Sequence, residues 1–298
     1  MRNAFIRELI NFSSTNEVPY LITGDLGFSV IEEFQAKYPN KFINAGILEQ
    51  SLVGMATGLA LQGNKVFVYS ITNFATFRAL EQLRLDISHH SADVCVVGVG
   101  VGFQYQSAGY SHWGIEDLAV VSSLQNFTIY SPWNEDSTVL AVRQILASNG
   151  PSYLRLGKAP SFPNLEMEPV FLGSLARSIG SGRNLVITHG SIAAILGGSP
   201  IFDTDLFKLV ILNNLSEIDV IKSSNLLKNC KSITVVEENI FSGSLGSNIA
   251  RYVAEEKLNV SYKWIGVRAG KIESVAGDLE FLRQRFMGDY TALAFMNP

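Results

Sequence analysis

One carboxylate stands in an otherwise apolar stretch of this sequence. Glu49 follows the short apolar run Phe42-Ile43 and a turn at Gly46, and it begins a mostly apolar segment that continues to Leu61. An acid that apolar surroundings desolvate is pushed toward its neutral, proton-donating form, as a general acid requires. The alternative is structural, because a Glu in the first turn of a helix also complements the helix dipole.

His112 is the second candidate for acid–base chemistry. It lies where a loop rich in glycine and aromatic residues, over residues 99–113, meets a predicted helix. A histidine there can shuttle a proton or bind a polar substrate, or it can merely help to start the helix, and local sequence leaves both interpretations open. His89 and His90 end an amphipathic segment, where cations interact favourably with a helix C-terminus.

Metal and phosphate motifs are not found in the sequence. No pair of His, Cys or acidic residues has the spacing of a closed zinc site. Neither the P-loop pattern nor the Rossmann fingerprint occurs in its proper context. The segment Gly243–Ser247 precedes a predicted helix and is interpreted as an anion site at that N-terminus or, as we favour, a tight strand–helix connection.

Composition indicates a well-packed protein without a nucleic-acid or membrane partner. Of 298 residues, 47% are hydrophobic and 17% charged, and the net charge is −4 with no basic run. Cys95 and Cys230 lie in apolar runs and are expected to be buried thiols in a reducing compartment. With no signal peptide and no apolar segment of membrane-spanning length, we expect a cytoplasmic protein.

The candidate residues are positioned by apolar strands that alternate with helices, a pattern that predicts an α/β protein with parallel sheets covered on both faces. We expect two consecutive domains, over residues 1–160 and 181–298, joined by a proline-containing linker over 161–180. Helices are predicted over Ser29–Lys37, with Ser29 as N-cap, and over Phe77–His89.

Ligands of open parallel sheets bind beyond the carboxyl ends of the strands. Four places follow predicted strands of the first domain and are therefore expected near one edge of its sheet: Asp25, Glu49, the Phe74/Phe77 region and the loop over residues 99–113.

Several segments together resemble one enzyme family. Phe42–Gln50, followed by Gly54 and Gly58, resembles the F-x-N-x-G-I-x-E-Q segment of transketolases and their thiamine-diphosphate relatives. Further segments match that family in order: Val66–Ile71, Phe77–Arg84, Gly109–His112 with Glu116–Ala119, Gly150–Lys158, and Val235–Glu238 with Gly243–Ser247. The resemblance covers essentially the whole chain and implies a pyrimidine-binding domain followed by a transketolase C-terminal domain.

The resemblance also implies roles for individual residues around thiamine diphosphate. Glu49 would hydrogen-bond N1′ of the aminopyrimidine and favour the imino tautomer that activates the cofactor. An aromatic ring would stack on the aminopyrimidine, and Phe74 is preferred over Phe77, although the spacing leaves both open. Asp25 would line the cofactor site.

Two further residues are implied to contact substrate. His112 matches the family's substrate histidine, and Lys158 stands where the family has a phosphate-binding arginine. A lysine there keeps the charge but loses the bidentate fork. The residues of Gly100–Ala108 lack a further His and Asp of ordinary transketolases, so pentose phosphates are not the expected substrates. Tyr105, Tyr110 and Trp113 suggest a larger or nucleotide-linked sugar as acceptor.

The half of a transketolase that binds the diphosphate and Mg²⁺ has no counterpart here. Its Gly-Asp-Gly motif and metal-binding Asn are missing, and Gly24–Gly27 lies at the wrong place. The chain is therefore expected to be the C-terminal subunit of a split transketolase, active with an N-terminal-type partner in an α₂β₂ assembly that transfers a two-carbon ketol unit between sugars. Gly54 and Gly58 would allow that partner's backbone to approach closely. The alternatives are the β subunit of a 2-oxo acid dehydrogenase and a non-catalytic scaffold.

Overall fold

The structure, a computed structural model, describes residues 1–158, 168–170, 175–268, 275 and 277–290. Its strands are β1 Tyr20–Thr23, β2 Phe42–Asn44, β3 Val66–Ile71, β4 Val94–Val99, β5 Thr128–Tyr130, β6 Ser152–Leu156, β7 Glu168–Pro169, β8 Arg177–Ile179, β9 Asn184–His189, β10 Phe207–Leu212, β11 Ser232–Ile240 and β12 Ser261–Val267. Its α-helices are α1 Arg2–Ser13, α2 Glu32–Lys37, α3 Glu49–Leu61, α4 Thr72–Thr76, α5 Leu80–Gln82, α6 Asp117–Val121, α7 Glu135–Ala147, α8 Ile192–Gly197, α9 Ile218–Ser223, α10 Leu245–Glu255 and α11 Leu279–Met287.

The strands form two six-stranded sheets, one after the other along the chain. The first has the order β2-β1-β3-β4-β6-β5 and is entirely parallel. The second has the order β12-β11-β9-β10-β8-β7, with antiparallel pairing at β8 and β7. The predicted α/β class with mostly parallel sheets is confirmed.

The apolar strands form the cores because both faces of each sheet are covered. Every residue of β4 is buried, as is typical of a central parallel strand. On one face of the first sheet, Phe5 and Leu9 of α1 belong to the same core cluster as Phe67 and Val97. Helix α7 packs beside α1 and begins with a capping box between Asn134 and Ser137.

The predicted domain boundaries are only partly covered by the structure. The first sheet uses residues from Tyr20 to Leu156 and the second uses residues from Glu168 to Val267. Most of the predicted linker, residues 161–167 and 171–174, lies outside the described residues. Two strands of the second sheet, β7 and β8, fall within its described part.

One local prediction is wrong and another is correct except at its start. Ser29 does not cap a helix: it has φ +64°, its N–H donates to Glu32 Oε1 at 2.6 Å, and α2 begins at Glu32. The predicted helix over 77–89 is confirmed from Leu80 onward, as α5 continued by a π-helical segment over Leu83–Ser88, but residues 77–79 form a turn that separates it from α4. The Thr72 hydroxyl donates to the Val99 carbonyl and so links α4 to β4. The hydrophobic periodicity of the sequence does not predict this contact.

The structure bears on two expectations from composition. Both cysteines are buried thiols, as predicted. Across the described ranges, no helix is long and apolar enough to cross a membrane.

Candidate active site

The carboxyl ends of β1, β2 and β3 converge on the start of α3. The chain leaves β2, turns at Gly46 with φ +74°, a conformation that favours glycine, and enters α3 at Glu49. The Asn44 side chain supports the turn by accepting hydrogen bonds from the N–H groups of Asp25 and Gly46. The apolar segment after Glu49 thus becomes a helix whose first carboxylate lies at the edge of the sheet.

Glu49 is buried beside a cation. Its side chain is 5% exposed, and both carboxylate oxygens lie 3.4 Å from Nη1 of Arg78. No side chain caps α3, so Glu49 does not serve as an N-cap. The sequence placed Glu49 in apolar surroundings but did not indicate this counter-charge.

Arg78 and Phe74 together connect Glu49 to His112. The guanidinium carbon of Arg78 lies 3.7 Å from the centre of the Phe74 ring, a close cation–π contact. The His112 ring meets Phe74 edge-on with ring centres 5.1 Å apart. Glu49, Arg78, Phe74 and His112 therefore form one contiguous group, which we call the edge cluster.

His112 is held in a short 3-10 turn over Tyr110–His112. Gly109, with φ +80°, introduces the turn, and Ser111 Oγ lies 2.9 Å from His112 Nδ1. The Tyr105 ring contacts the imidazole at 6.0 Å between centres. The imidazole is thus oriented by its own loop and by two aromatic rings, as a substrate-contacting group requires.

A cavity of about 340 Å³ opens beside the edge cluster. It is lined by Asn73, Phe74, Phe77, Arg78, Tyr110, Ser111 and Glu116. The Asn73 amide nitrogen donates to the carbonyls of Ser111 and Trp113, whereas Asn73 Oδ1 is buried without a hydrogen-bond partner among the described residues. The Tyr110 hydroxyl donates to Glu116 at 2.5 Å, and this bond raises the pKa of Tyr110 to about 12.

The other predicted site residues lie apart from these contacts. Asp25 is exposed, with φ +58°, and its side chain accepts a hydrogen bond from Asn44. Lys158 is exposed at the end of β6, and its backbone N–H donates to Gln104. Phe77 lines the cavity but is 45% exposed, and the stacked cation lies on Phe74 instead.

One predicted substrate contact is wrong. Trp113 is fully buried against Phe103 and Phe286, and its indole N–H donates to the Gln106 carbonyl. Its ring packs in the same core cluster as Phe103 and Phe286 and does not line the cavity beside the edge cluster. Of the three aromatic residues singled out for an acceptor, only Tyr110 lines the cavity.

A second polar group, which we call the buried cluster, lies between the two sheets. It consists of Asp117, Arg155, His189 and Glu237, each at most 2% exposed. Arg155 binds Asp117 through two bonds, Nε–Oδ2 at 2.6 Å and Nη2–Oδ1 at 3.0 Å. Further donors complete the shell, including the hydroxyl of Tyr153 and the amide of Asn239, which both donate to Asp117.

The histidine of the buried cluster is neutral. Burial lowers the pKa of His189, and Arg155 next to it acts in the same direction. Nε2 lies 3.2 Å from Glu237 Oε2 and Nδ1 lies 2.9 Å from Ser131 Oγ, so a neutral ring that donates to Glu237 and accepts from Ser131 satisfies both nitrogens.

Glu237 occupies the helix N-terminus that the sequence offered as an anion site. The N–H groups of Leu245 and Gly246 donate to it at 3.2 and 2.8 Å, and so does the Trp264 indole. Burial alone would raise the pKa of Glu237, but the hydrogen bonds it accepts from His189 and Gly246 outweigh burial and lower it. The Gly243–Ser247 segment therefore binds an internal carboxylate.

Arg78, Asn73 and the buried cluster were not predicted as functional residues. Arg78 follows Phe74 by four residues, a spacing that brings side chains together on a helix and that could have indicated the contact. Arg155 and His189 are far apart in sequence, and only tertiary packing brings them together. Over the residues that the structure describes, no group of three or more His, Cys, Asp or Glu side chains could hold a metal ion.

Comparison with known proteins identifies relatives over nearly the whole chain. The family described as "Transketolase, pyrimidine binding domain" matches residues 1–161. An apulose-4-phosphate transketolase subunit of Actinobacillus succinogenes is 28% identical over 259 residues, 85% of this chain and 83% of that protein. The "Putative transketolase C-terminal section" of Methanocaldococcus jannaschii is 28% identical over 290 residues, 92% of this chain and 90% of that protein.

A solved structure has the same fold. The protein described as "Split gene transketolase, inactive beta4 tetramer" superposes with a TM-score of 0.74 at 26% identity. The match covers 90% of this chain and 89% of that chain.

Proposed function

This chain belongs to the transketolase pyrimidine-binding family, and from that premise we propose that it is the C-terminal subunit of a split, thiamine-diphosphate-dependent transketolase. One observation carries the proposal: a buried carboxylate, an aromatic ring and a histidine lie together at the carboxyl edge of the first sheet. Arg78 contacts both Glu49 and Phe74, and Phe74 contacts His112. An acid, a stacking surface and a substrate donor are the three parts that the reaction needs from this half of the site.

The lengths and the descriptions of the relatives support the proposal that the transketolase is divided between two chains. This chain covers 83% and 90% of two proteins described as an apulose-4-phosphate transketolase subunit and a transketolase C-terminal section. The similar solved structure is described as that of an inactive tetramer of β subunits. By analogy, this chain associates with copies of itself and acquires activity only with a separate N-terminal-type chain, in an α₂β₂ assembly.

The edge cluster fits the aminopyrimidine ring of thiamine diphosphate. The ring needs an acid at N1′, an aromatic surface and an acceptor for its amino group. Glu49 supplies the acid, Phe74 the surface, and the unpartnered Asn73 Oδ1 is a buried acceptor beside the cavity. When bound, the cofactor supplies a thiazolium carbon that, once deprotonated, cleaves and forms the bond next to a ketose carbonyl.

Each residue of the cluster then has a defined task. Glu49 holds the proton that it shares with N1′, and its burial keeps water from competing for that proton. Phe74 fixes the plane of the ring. His112, oriented by Ser111 and flanked by Phe74, would donate to or accept from a substrate oxygen; its neighbours Tyr110 and Ser111 line the cavity, whereas His112 itself does not.

The remaining parts of the site are assigned to the partner chain. Thiamine diphosphate is expected to bring Mg²⁺, and the partner would bind both the metal and the diphosphate. The cavity of about 340 Å³, which Tyr110 lines, has room for a sugar acceptor. Lys158 would attract an anionic group of the substrate from the exposed end of β6, and Asp25 would line the cofactor site.

The decisive experiment is Glu49→Gln in the complex reconstituted with the N-terminal-type chain. Ketol transfer is followed from a panel of ketose donors to aldehyde acceptors, with CO₂ release from 2-oxo acids measured in parallel. We expect turnover to fall by about 10²- to 10⁴-fold, the usual contribution of a positioned acid–base group. Undiminished turnover would contradict the catalytic assignment and favour a scaffold; CO₂ release without ketol transfer would favour a dehydrogenase subunit.

The matched control is Glu8→Gln. Glu8 is also buried and also pairs with an exposed arginine, Arg143, at 2.6 Å, but it lies between α1 and α7, away from the edge cluster. It tests whether loss of any buried carboxylate lowers turnover. We expect the control to retain turnover within about twofold, since it removes a surface-linked ion pair worth about 1 kcal/mol or less.

A further inference from the structure

Arg78 is bound less tightly than two other arginines that pair with buried carboxylates, Arg143 and Arg155. Its Nη1 lies 3.4 Å from both Glu49 oxygens, whereas Arg143–Glu8 and Arg155–Asp117 close to 2.6 Å. The Arg78 side chain is 48% exposed although Glu49 is 5% exposed. Its guanidinium thus closes over a buried acid from the solvent side, with only long hydrogen bonds to it.

The guanidinium makes the same two contacts that the aminopyrimidine would make. It is a planar group with N–H donors, it lies 3.7 Å from the centre of the Phe74 ring, and its donors point to the Glu49 carboxylate. Two planar groups cannot occupy the same ring face and the same carboxylate edge together. We infer that Arg78 holds the place of the aminopyrimidine in the cofactor-free subunit and is displaced when the cofactor binds, an inference that rests on the proposed function.

This arrangement has a physical reason. A carboxylate as buried as Glu49 is costly without a partner, and the arginine supplies one until the cofactor arrives. The same contact reduces cofactor affinity, because apparent affinity falls by the fraction of molecules that are competent to bind. If Arg78 occupies the place in about nine molecules of ten, binding is weakened about tenfold.

The test is the affinity of the reconstituted complex for thiamine diphosphate, measured calorimetrically with Mg²⁺ present and without substrate. Arg78→Ala removes both contacts and is expected to bind about three- to tenfold more tightly, with faster association. Arg78→Lys retains the charge but cannot stack as a plane, and is expected to lie between Arg78→Ala and the unaltered complex. Equal or weaker binding by Arg78→Ala would overturn the inference, because it would mean that Arg78 and the ring bind together.

Controls separate this inference from the proposed function. Arg84→Ala removes an exposed arginine of the same segment, paired with Glu81, and is expected to leave affinity unchanged. If the unaltered complex binds no thiamine diphosphate, the proposed function fails; if it binds but Arg78→Ala shows no gain, only the role of Arg78 fails. Should Arg78→Ala not fold, Arg78→Lys decides alone: tighter binding supports displacement, and equal or weaker binding overturns it.

Discussion

The edge cluster and the buried cluster each contain an arginine opposite a carboxylate, but the two pairs differ in burial and in the length of their hydrogen bonds. Asp117 and Arg155 are 0% and 2% exposed and are joined by two short bonds. Glu49 and Arg78 are 5% and 48% exposed, and their closest approach is 3.4 Å. In the buried cluster all partners are supplied by the chain, whereas in the edge cluster one side of the acid is covered by a long, half-exposed side chain.

The difference distinguishes a structural ion pair from a binding site. Asp117 accepts hydrogen bonds from Arg155, Tyr153 and Asn239, so a ligand would find no unoccupied acceptor there. Among the described residues, the Glu49 carboxylate accepts only the long contacts from Arg78. Arg78 lines the cavity together with Asn73, whose Oδ1 has no partner there. A buried acid whose few contacts come from a cavity-lining residue is where a ligand gains most from binding.

The largest expected effect is the loss of stability on removing Arg155. Arg155→Met leaves Asp117 and Glu237 buried without their cation, which costs about 3–5 kcal/mol for a broken buried pair. Urea unfolding measures the loss. Arg143→Met is the matched control, because its bond to Glu8 is as short at 2.6 Å while Arg143 is 62% exposed. It leaves the Glu8 carboxylate without that bond and should cost about 1–2 kcal/mol, less than Arg155→Met. A loss no larger than that of the control would show that burial does not separate the two pairs.

The next effect concerns which phenylalanine forms the stacking surface. Phe74→Ala removes the ring that contacts both Arg78 and His112, and we expect cofactor affinity of the complex to fall about tenfold, near the ~0.5–1.5 kcal/mol of an aromatic pair. Phe77→Ala, which alters an exposed ring on the same cavity, should change affinity less than about twofold. Calorimetric titration with thiamine diphosphate distinguishes them, and a larger loss in Phe77→Ala would reverse the assignment.

The sequence predicts the fold well because periodicity reports burial. The central strand of the first sheet, Val94–Val99, is a continuous apolar run and is buried throughout, as the alternation of apolar strands with helices predicts. The start of the region after β3 is predicted less well. There the separate helix α4 is tied to β4 by the bond from Thr72 to Val99, a residue distant in sequence, and a turn over residues 77–79 precedes the predicted helix.

The sequence predicts only part of the candidate site, because the remaining residues depend on contacts between segments that are distant in sequence. Glu49 and His112 follow strands, so their place at the sheet edge follows from topology. Arg78 matters through its contacts with Glu49 and Phe74, and no pattern in the sequence specifies where its long side chain points. The buried cluster combines residues from both sheets, and Asp117 and Glu237 acquire their roles only when the sheets pack together.

A smaller effect is the pH dependence that the buried cluster gives to stability. Burial lowers the pKa of His189 from its usual 6.5, so below that pH the unfolded chain binds a proton that the folded protein does not. Stability is therefore complete above about pH 6.5 and falls with decreasing pH, by at most about 1.4 kcal/mol per unit from this group. The lowered pKa of Glu237 adds a loss in the same direction, but only below its usual 4.5.

His189→Gln, which carries no titrating ring, tests this assignment. The variant is less stable at neutral pH, but its stability should fall less steeply between pH 6.5 and 5.5 than that of the unaltered protein. His90→Gln, at an exposed position next to the π-helical segment, is the control for replacing a histidine by glutamine. Equal slopes in His189→Gln and the unaltered protein would mean that another group governs acid unfolding in this range.

The smallest expected effect belongs to Lys158, a charge without burial and outside both clusters. Because it is exposed at the end of β6, water and salt screen its attraction for an anionic substrate. Lys158→Ala should raise the KM of a phosphorylated sugar about two- to fivefold, corresponding to roughly 1 kcal/mol or less, and leave kcat unchanged. Lys37→Ala on α2, which removes an exposed lysine paired with Glu33, is the control for net charge. The difference between the two variants should shrink as salt is raised; a salt-independent loss would mean that the partner chain buries Lys158 within the assembled site.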